Sequence, residues 1–178
     1  AYGNGLFVTI SNTYSNEMIC TTPNGEEWTK HIMNIHNIWM SICYGNDTFV
    51  AVGYNNEGLN CVAISENGKE WESIPASDNS SKWFDVAYGN KTFVAIAEVS
   101  VSNRQTIMIS TNNGYAWISI TSPISESPRK IIYGNNNFVI LTDNYILTSE
   151  NGISWNLINK SIDDICYKDG RYFYIRKD

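Results

Sequence analysis

Two short phrases alternate along the chain, and that alternation constrains the fold more than any other feature. The first ends in tryptophan: Thr22–Trp28 reads TPNGEEW, Ser65–Trp71 reads SENGKEW, Ser110–Trp117 reads STNNGYAW and Ser149–Trp155 reads SENGISW. The second begins with tyrosine: YGNGLFV from Tyr2, YGNDTFV from Tyr44, YGNKTFV from Tyr88 and YGNNNFV from Tyr133, with a worn copy, YKDGRYF, from Tyr167. An alternating stretch leads into the later copies: WMSICY from Trp39, WFDVAY from Trp83, RKIIY from Arg129 and IDDICY from Ile162. One unit therefore reads strand, Y-G-N turn, strand, polar loop, short strand, N-G-x-x-W turn, strand. Its period of roughly 40–45 residues is the range in which four-stranded propeller blades repeat.

Each piece has a local cause. In YGNGLFVTI the glycine and asparagine are expected to supply the positive φ values of a tight hairpin, and the period-2 run that follows suits a pleated strand. In SENGKEW, Asn67 can bond its own backbone two residues on, and Gly68 tolerates a left-handed conformation. The equivalent pairs Asn24/Gly25, Asn112/Gly114 and Asn151/Gly152 are read as structural turns in the same way. Trp28, Trp71, Trp117 and Trp155 then hold equivalent places and are expected to pack their rings between neighbouring units. One such unit cannot bury both faces, so the copies must stack.

The fold expected is an all-β propeller of four-stranded antiparallel blades. Its units fall at about 1–30 (partial), 31–76, 77–122, 123–160 and 161–178 (partial) of a single domain or fragment. Propellers close with at least four blades. Either four to five blades close with one incomplete, or the chain is an arc of a larger ring. It opens AYGNG without a methionine, which reads as part of something longer.

Composition removes several functions. The formal net charge is −6 and no Lys/Arg run exceeds two residues; nucleic acid, which demands clustered cations, is not an expected partner. Cys20, Cys43, Cys61 and Cys166 form no C-x-x-C pair, so metal and redox motifs fail on spacing and the thiols are expected unpaired. Cys43 and Cys166 directly precede repeat tyrosines and read as small buried apolar residues. His31 and His36 lack a third ligand. No metal, no cofactor and no membrane insertion is expected, and no signal peptide or membrane-spanning run is visible.

The tryptophan phrase resembles the Asp-box of bacterial neuraminidase (BNR) repeats, Ser-x-Asp-x-Gly-x-x-Trp. Ser110, Asn112, Gly114 and Trp117 match its spacing with asparagine in place of aspartate, and the other three copies are one residue shorter. The resemblance covers nearly the whole chain. It implies a propeller in which the box is a structural turn remote from any active site. The Y-G-N and N-G-x-x-W repeats are also similar to domains of bacterial surface and phage-tail proteins, which implies a place outside the cytoplasm, at a cell surface or virion.

Sialidase chemistry, the activity such a resemblance first suggests, needs three arginines around a carboxylate. The chain offers only Arg104, Arg129, Arg171 and Arg176 and no Arg-Ile-Pro stretch. A glycosidase needs two facing carboxylates; Glu57, Asp78, Glu98, Glu126 and Asp143 are spread over different copies. The chain is therefore read as not an enzyme. In a four-stranded blade the turns after strands 1 and 3 share one face, here the near-invariant one. Loops after strands 2 and 4 share the other and carry everything irregular. Function concentrates on variable loops held by a rigid scaffold. The reading favoured is a binding propeller that recognises a glycan or cell-surface ligand there; the alternative is a structural or protein-docking scaffold within a larger surface or phage-tail assembly. Trp39 and Trp83, opening their first strands near the ring centre, are the candidate stacking platforms. Tyr54, Asn55, Asn56, Arg104 and His36 are their candidate polar neighbours.

Overall fold

The structure, a computed structural model, describes residues 1–11, 18–55, 60–99 and 105–176. Among them there are eighteen strands and no helix. Blade 1 holds β1 (Tyr2–Gly3), β2 (Leu6–Ile10), β3 (Met18–Thr22) and β4 (Thr29–Ile32). Blade 2 holds β5 (Ile38–Gly45), β6 (Thr48–Tyr54), β7 (Val62–Ser65) and β8 (Glu72–Ile74). Blade 3 holds β9 (Trp83–Gly89), β10 (Thr92–Ala97), β11 (Ile107–Ser110) and β12 (Ile118–Ile120), and blade 4 holds β13 (Lys130–Gly134), β14 (Asn137–Leu141), β15 (Tyr145–Ser149) and β16 (Asn156–Asn159). A two-stranded fifth sheet, β17 (Asp164–Lys168) with β18 (Arg171–Ile175), follows. Every sheet is an antiparallel meander in chain order, and each first strand packs on the next: β5 on β9, β9 on β13, β13 on β17. This is the propeller arrangement, in the form of an arc.

Burial follows position in the arc. β6 and β10, with a blade on each side, are buried along nearly their whole length, whereas β2 alternates and β18 is mostly exposed. The near-continuous apolar runs TFVAV and TFVAIA are what a strand covered on both faces requires.

The first-strand turns correct one expectation. Positive φ belongs to the two residues after the glycine: Asn4 and Gly5 (49°, 74°), Asn46 and Asp47 (47°, 59°), Asn90 and Lys91 (46°, 59°), Asn135 and Asn136 (47°, 60°), and Asp169 and Gly170 (50°, 78°). Two successive left-handed residues are the signature of a two-residue type I′ hairpin. The glycine of Y-G-N is an ordinary strand residue. It is glycine because the next blade's tyrosine lies on it: a Cβ at Gly3, Gly45, Gly89 or Gly134 would stand only 2.2, 2.0, 2.1 or 2.3 Å from the nearest ring atom of Tyr44, Tyr88, Tyr133 or Tyr167, respectively. Each tyrosine is steadied by the aromatic across its own hairpin, with ring centroids 4.6 Å apart in Tyr44–Phe49 and Tyr88–Phe93.

The tryptophan turns form the other half of each seam. The serine hydroxyl accepts from the turn glycine amide, as in Gly68 N to Ser65 Oγ at 2.8 Å and Gly114 N to Ser110 Oγ at 2.9 Å. The asparagine Oδ1 accepts from amides beyond the glycine, Lys69 and Glu70 at 2.9 Å in the second copy. The indole folds back to donate to the glycine carbonyl, at 3.3 Å for Trp71, 2.8 Å for Trp117 and 3.0 Å for Trp155. The turn thus closed lies on the preceding blade. A Cβ at Gly68 would stand 2.8 Å from Val8, one at Gly114 2.9 Å from Ile64 and 3.1 Å from Val50, and one at Gly152 2.8 Å from Val94 and 3.2 Å from Ile109. The preceding Y-G-N asparagine reaches across to it: Asn4 Nδ2 donates to Glu66 O at 2.7 Å, Asn90 Nδ2 to Glu150 O at 3.1 Å, and Asn46 Nδ2 to Asn113 Oδ1.

Trp28 departs from the expected equivalence. Among the described residues no neighbouring blade lies against its turn: Trp28 is 43% exposed against 8% for Trp117, and Gly25 has nothing within 4 Å of its Cβ site. Trp28→Ala should therefore lower stability by about 2 kcal/mol, short of the roughly 3–5 kcal/mol for a fully buried large aromatic. Urea titration of the variant would show it, and a loss of several kcal/mol would mean the ring is covered.

Cysteine placement is mixed. None of the four forms a disulfide among the described residues; Cys61 is buried and burial pushes its thiol up to about 11, while Cys43 is half-buried with its thiol also raised by burial. Cys166 corrects the expectation of a buried residue: it is exposed, since among the described residues the fifth sheet has two strands and is covered by blade 4 alone.

Candidate functional site

The loops after strands 2 and 4 do lie together, and hydrogen bonds tie them into a band running from blade 2 to the fifth sheet. Connector 75–82 shows how it is built. Asp78 gathers Ser80 and Ser81 through its carboxylate, with the Ser80 hydroxyl at 2.7 Å, and Asn79 Oδ1 accepts from Ala76 N at 2.9 Å. The connector so fixed puts Lys82 over the Tyr54 ring, 5.6 Å from its centroid, and 3.6 Å from the Glu98 carboxylate. Connector 121–129 repeats the plan. Glu126 accepts from Thr142 Oγ1 at 2.8 Å and Asn144 Nδ2 at 2.7 Å, bonds that hold its carboxyl below the usual range, and Val99 N donates to Ser127 Oγ at 3.1 Å. Arg129 pairs with Asp143 at 3.0 Å and donates to the carbonyls of Thr142 and Ile162. Ser161 Oγ donates to Asp143 O at 2.6 Å. In blades 2, 3 and 4 the end of strand 2 is thus tied to the connector that follows the blade: Tyr54 to Lys82, Val99 to Ser127, Asp143 to Ser161.

Of the residues picked out by sequence, Tyr54 and Asn55 belong to this band. Tyr54 is half-buried beneath Lys82; Asn55 Nδ2 donates to Asn37 Oδ1, and Asn37 Nδ2 to Asn60 O at 2.6 Å. His36 is exposed in connector 33–37, next to Asn37, and His31 Nε2 lies 2.9 Å from Thr21 Oγ1. Asn56 and Arg104 lie outside the described residues.

Trp39 and Trp83 are corrected. They are 2% and 0% exposed, so neither offers a ring face to a sugar. Trp83 Nε1 donates to Asp78 O at 2.8 Å, and Trp39 Nε1 is buried without a hydrogen-bond partner among the described residues. The cause is a β-bulge. The register shifts between Trp39 and Ser41, and between Ile96 and Ala97 opposite Asp85 and Trp83. An extra residue on β5 and β9 reverses the side-chain alternation there. In blade 4, where no shift occurs, Arg129 holds this place.

Sequence reasoning missed an inner row. Ser41, Asp85, Lys130 and Asp164 each stand three residues before their repeat tyrosine. Ser41 Oγ donates to Asp85 Oδ1 at 2.8 Å, Ile131 N donates to Asp85 Oδ2 at 2.9 Å, and Lys130 Nζ pairs with Asp164. Burial chiefly raises the Asp85 carboxyl, against the lowering pull of Ile131 N, Ser41 and Val86 N, whereas the Lys130 hydrogen bond lowers Asp164. The row stitches blades 2 to 5 together. Its signal was visible as a polar residue three places before each repeat tyrosine from Tyr44 on, as in WMSICY and WFDVAY.

A hollow also opens on the turn side, where only structure was expected. Trp71 and Tyr115, with Glu66, Asn67, Glu70 and Glu72, line about 310 Å³ between the second and third tryptophan turns. Under the variable band, the space beside Thr106, Glu126 and Thr142 is about 10 Å³, room for a single water.

No protein-family model and no curated protein sequence matches the chain. Solved structures do. YCF48 from Cyanidioschyzon merolae is 20% identical, with a TM-score of 0.61 over 81% of this chain and 52% of its own. A YCF48 bound to D1 peptide is 14% identical, with a TM-score of 0.62 over 93% of this chain and 55% of its own. An ancestral GH74 enzyme is 17% identical, with a TM-score of 0.60 over 85% of this chain and 22% of its own. At these identities the likeness establishes the β-propeller fold and not an activity. The chain spans about half the length of the two YCF48 chains.

Proposed function

We propose that the chain is a non-catalytic docking propeller whose variable-loop face takes a peptide segment or a protein surface. The observation that carries this reading is the tied band: Tyr54, Lys82, Glu98, Glu126, Arg129 and Asp143 form a polar strip with mixed charge on preordered connectors. Lys82 and Glu98 keep 57% and 60% of their side chains exposed, and Asp143 78%. A preordered surface loses little entropy on binding, and mixed charge selects partners. The peptide named with one of the similar structures supports the idea that such a scaffold can hold a polypeptide. Catalysis is not favoured, since Glu98, Glu126 and Asp143 are each engaged by a neighbouring loop group.

Saccharide recognition is the second reading, and a specific place favours it: the hollow flanked by Trp71 and Tyr115, where aromatic faces stand beside carboxylates. This is not the place the sequence suggested.

Selecting a displayed random-peptide library and a glycan panel against the same chain separates the two. Peptide binding should fall at least about tenfold, or 1.4 kcal/mol, in Tyr54→Ala and Lys82→Glu, with folding intact because exposed ion pairs contribute little stability. Glycan binding that disappears with Tyr115→Ala and ignores the first two variants would replace the proposal by the second reading.

A further inference from the structure

The hollow between the second and third tryptophan turns is formed by blades 2 and 3, both complete four-stranded sheets. Its charged lining is of one sign. Glu66, Glu70 and Glu72 border the 310 Å³ with Trp71 and Tyr115, and no lysine or arginine does. Among the described residues none of these carboxylates is in an ion pair; Glu70 accepts from Asn67 Nδ2 at 3.3 Å. The repeat does not require this arrangement. At the corresponding places of the first and second turns stand Pro23, Glu27, Thr29 and Lys69, one carboxylate against one ammonium. At those of the third and fourth stand Thr111, Ala116, Ile118 and Ile153, without a charge. The residue after the turn glycine is aromatic in the third copy alone, where Tyr115 replaces Glu26, Lys69 or Ile153. Both rings are on fixed turns. Trp71 Nε1 donates to Gly68 O at 3.3 Å and Tyr115 N to Asn112 O at 3.3 Å. Asn113, the extra residue of the longer third copy, accepts from Asn46 and fastens that turn to blade 2. Tyr115 is 48% exposed and the three carboxylates are exposed, so the lining is open to a ligand. Like charges gathered together repel, and a cation among them relieves the repulsion. An aromatic face attracts the same cation.

We propose that this hollow receives a lysine or arginine side chain of a basic polypeptide segment, its cation against the Trp71 and Tyr115 rings and its N–H groups donating to the surrounding carboxylates. Hydrogen bonds from an ionised donor to a carboxylate are the stronger kind. The occupant follows from the charge. A neutral sugar leaves three carboxylates without a counter-charge, whereas a basic segment brings one cation into the hollow and others to its rim, the complementarity by which charged surfaces select partners. The site is separate from the Tyr54–Lys82 band, on the opposite face, and does not rest on the reading of that band.

The probe is a fluorescent hexalysine peptide titrated with the 178-residue chain at an ionic strength of about 0.1 M, with hexaglutamine as the neutral control. Saturable binding of hexalysine alone is expected. Tyr115→Leu, which removes the ring and no charge, should weaken it at least about fivefold, the worth of a cation over an aromatic face. Tyr115→Phe, which keeps the ring, should bind as the parent does. Glu66→Gln with Glu72→Gln should weaken binding at least about tenfold. The altered side chains are exposed, so circular dichroism should find every variant folded. Glu26→Gln with Glu27→Gln removes the same charge from the first turn and should leave binding nearly unchanged, because salt confines exposed charges to their neighbourhood. Tyr54→Ala should leave it unchanged as well, so a failure of the variable-face reading is distinguishable from a failure here. Binding that ignores Tyr115→Leu, or that falls equally in the first-turn control, would be diffuse attraction to an acidic chain and would overturn the proposal. Absence of saturable binding would overturn it too. So would a neutral glycan or a glucosamine oligomer that binds more tightly than hexalysine and is lost with Tyr115→Leu, since the occupant would then be a saccharide.

Discussion

Replacing Trp83 by alanine is expected to lower the stability of the chain by about 4 kcal/mol, within the range for large buried aromatics. The ring is fully buried among Val62, Ile74, Val86 and Phe93, in the cluster that joins blades 2 and 3, so its removal leaves a cavity between two sheets. The loss also orphans the Asp78 carbonyl, which accepts the indole proton at 2.8 Å. That bond links a core side chain to connector 75–82, and hence to Lys82 and the band proposed to bind. A drop in Tm of roughly 8–16 °C follows for a domain of this size. Differential scanning calorimetry reads it directly. A drop of under about 3 °C would mean the ring is not a core residue, and would reopen the case for a stacking platform.

The repeat made the fold legible, because both of its phrases are sterically specific. N-G-x-x-W prescribes a turn closed by its own serine, asparagine and indole, and Y-G-N prescribes a hairpin. Four copies of each, alternating along the chain, left few alternatives to stacked four-stranded sheets. The site was less legible, for two physical reasons. Side-chain direction along a strand follows period 2 only until a bulge intervenes, and the bulges in β5 and β9 turn Trp39 and Trp83 into the core. Nothing in WMSICY or WFDVAY announces an extra residue. The other reason is that the band is made of contacts between connectors some 28 residues apart, such as Val99 with Ser127. Such pairs obey no local spacing. Tyr54 and Asn55 lie in the band at the end of a strand whose loop is variable. Asn37, buried to 1% exposure and holding Asn55 to Asn60, carried no signal beyond its place in a polar connector.

The Y-G-N glycine was recognised for the wrong reason, and the right one makes a sharper prediction. A turn glycine with positive φ tolerates alanine at about 1–2 kcal/mol of backbone strain, as expected for Gly5, whose Cβ site is open. Gly45 has ordinary strand geometry, so alanine strains no dihedral there. Its Cβ would instead overlap the Tyr88 ring. That ring cannot withdraw freely, since it rests on Phe93, which is 1% exposed. Blades 2 and 3 would have to part, and Gly45→Ala should cost about 3 kcal/mol, the upper range for overpacking. The fifth sheet fits the same logic: Lys168 stands where the other copies have glycine, so no tyrosine of a further blade can lodge there as Tyr88 does on Gly45. The cause can be isolated by a double-mutant cycle in urea. With Tyr88 already changed to alanine, Gly45→Ala should cost less than about 1 kcal/mol, because the atoms it would strike are gone. An unchanged cost in that background would mean the glycine is needed for its backbone freedom, and the tyrosine seam would not be what holds one blade against the next.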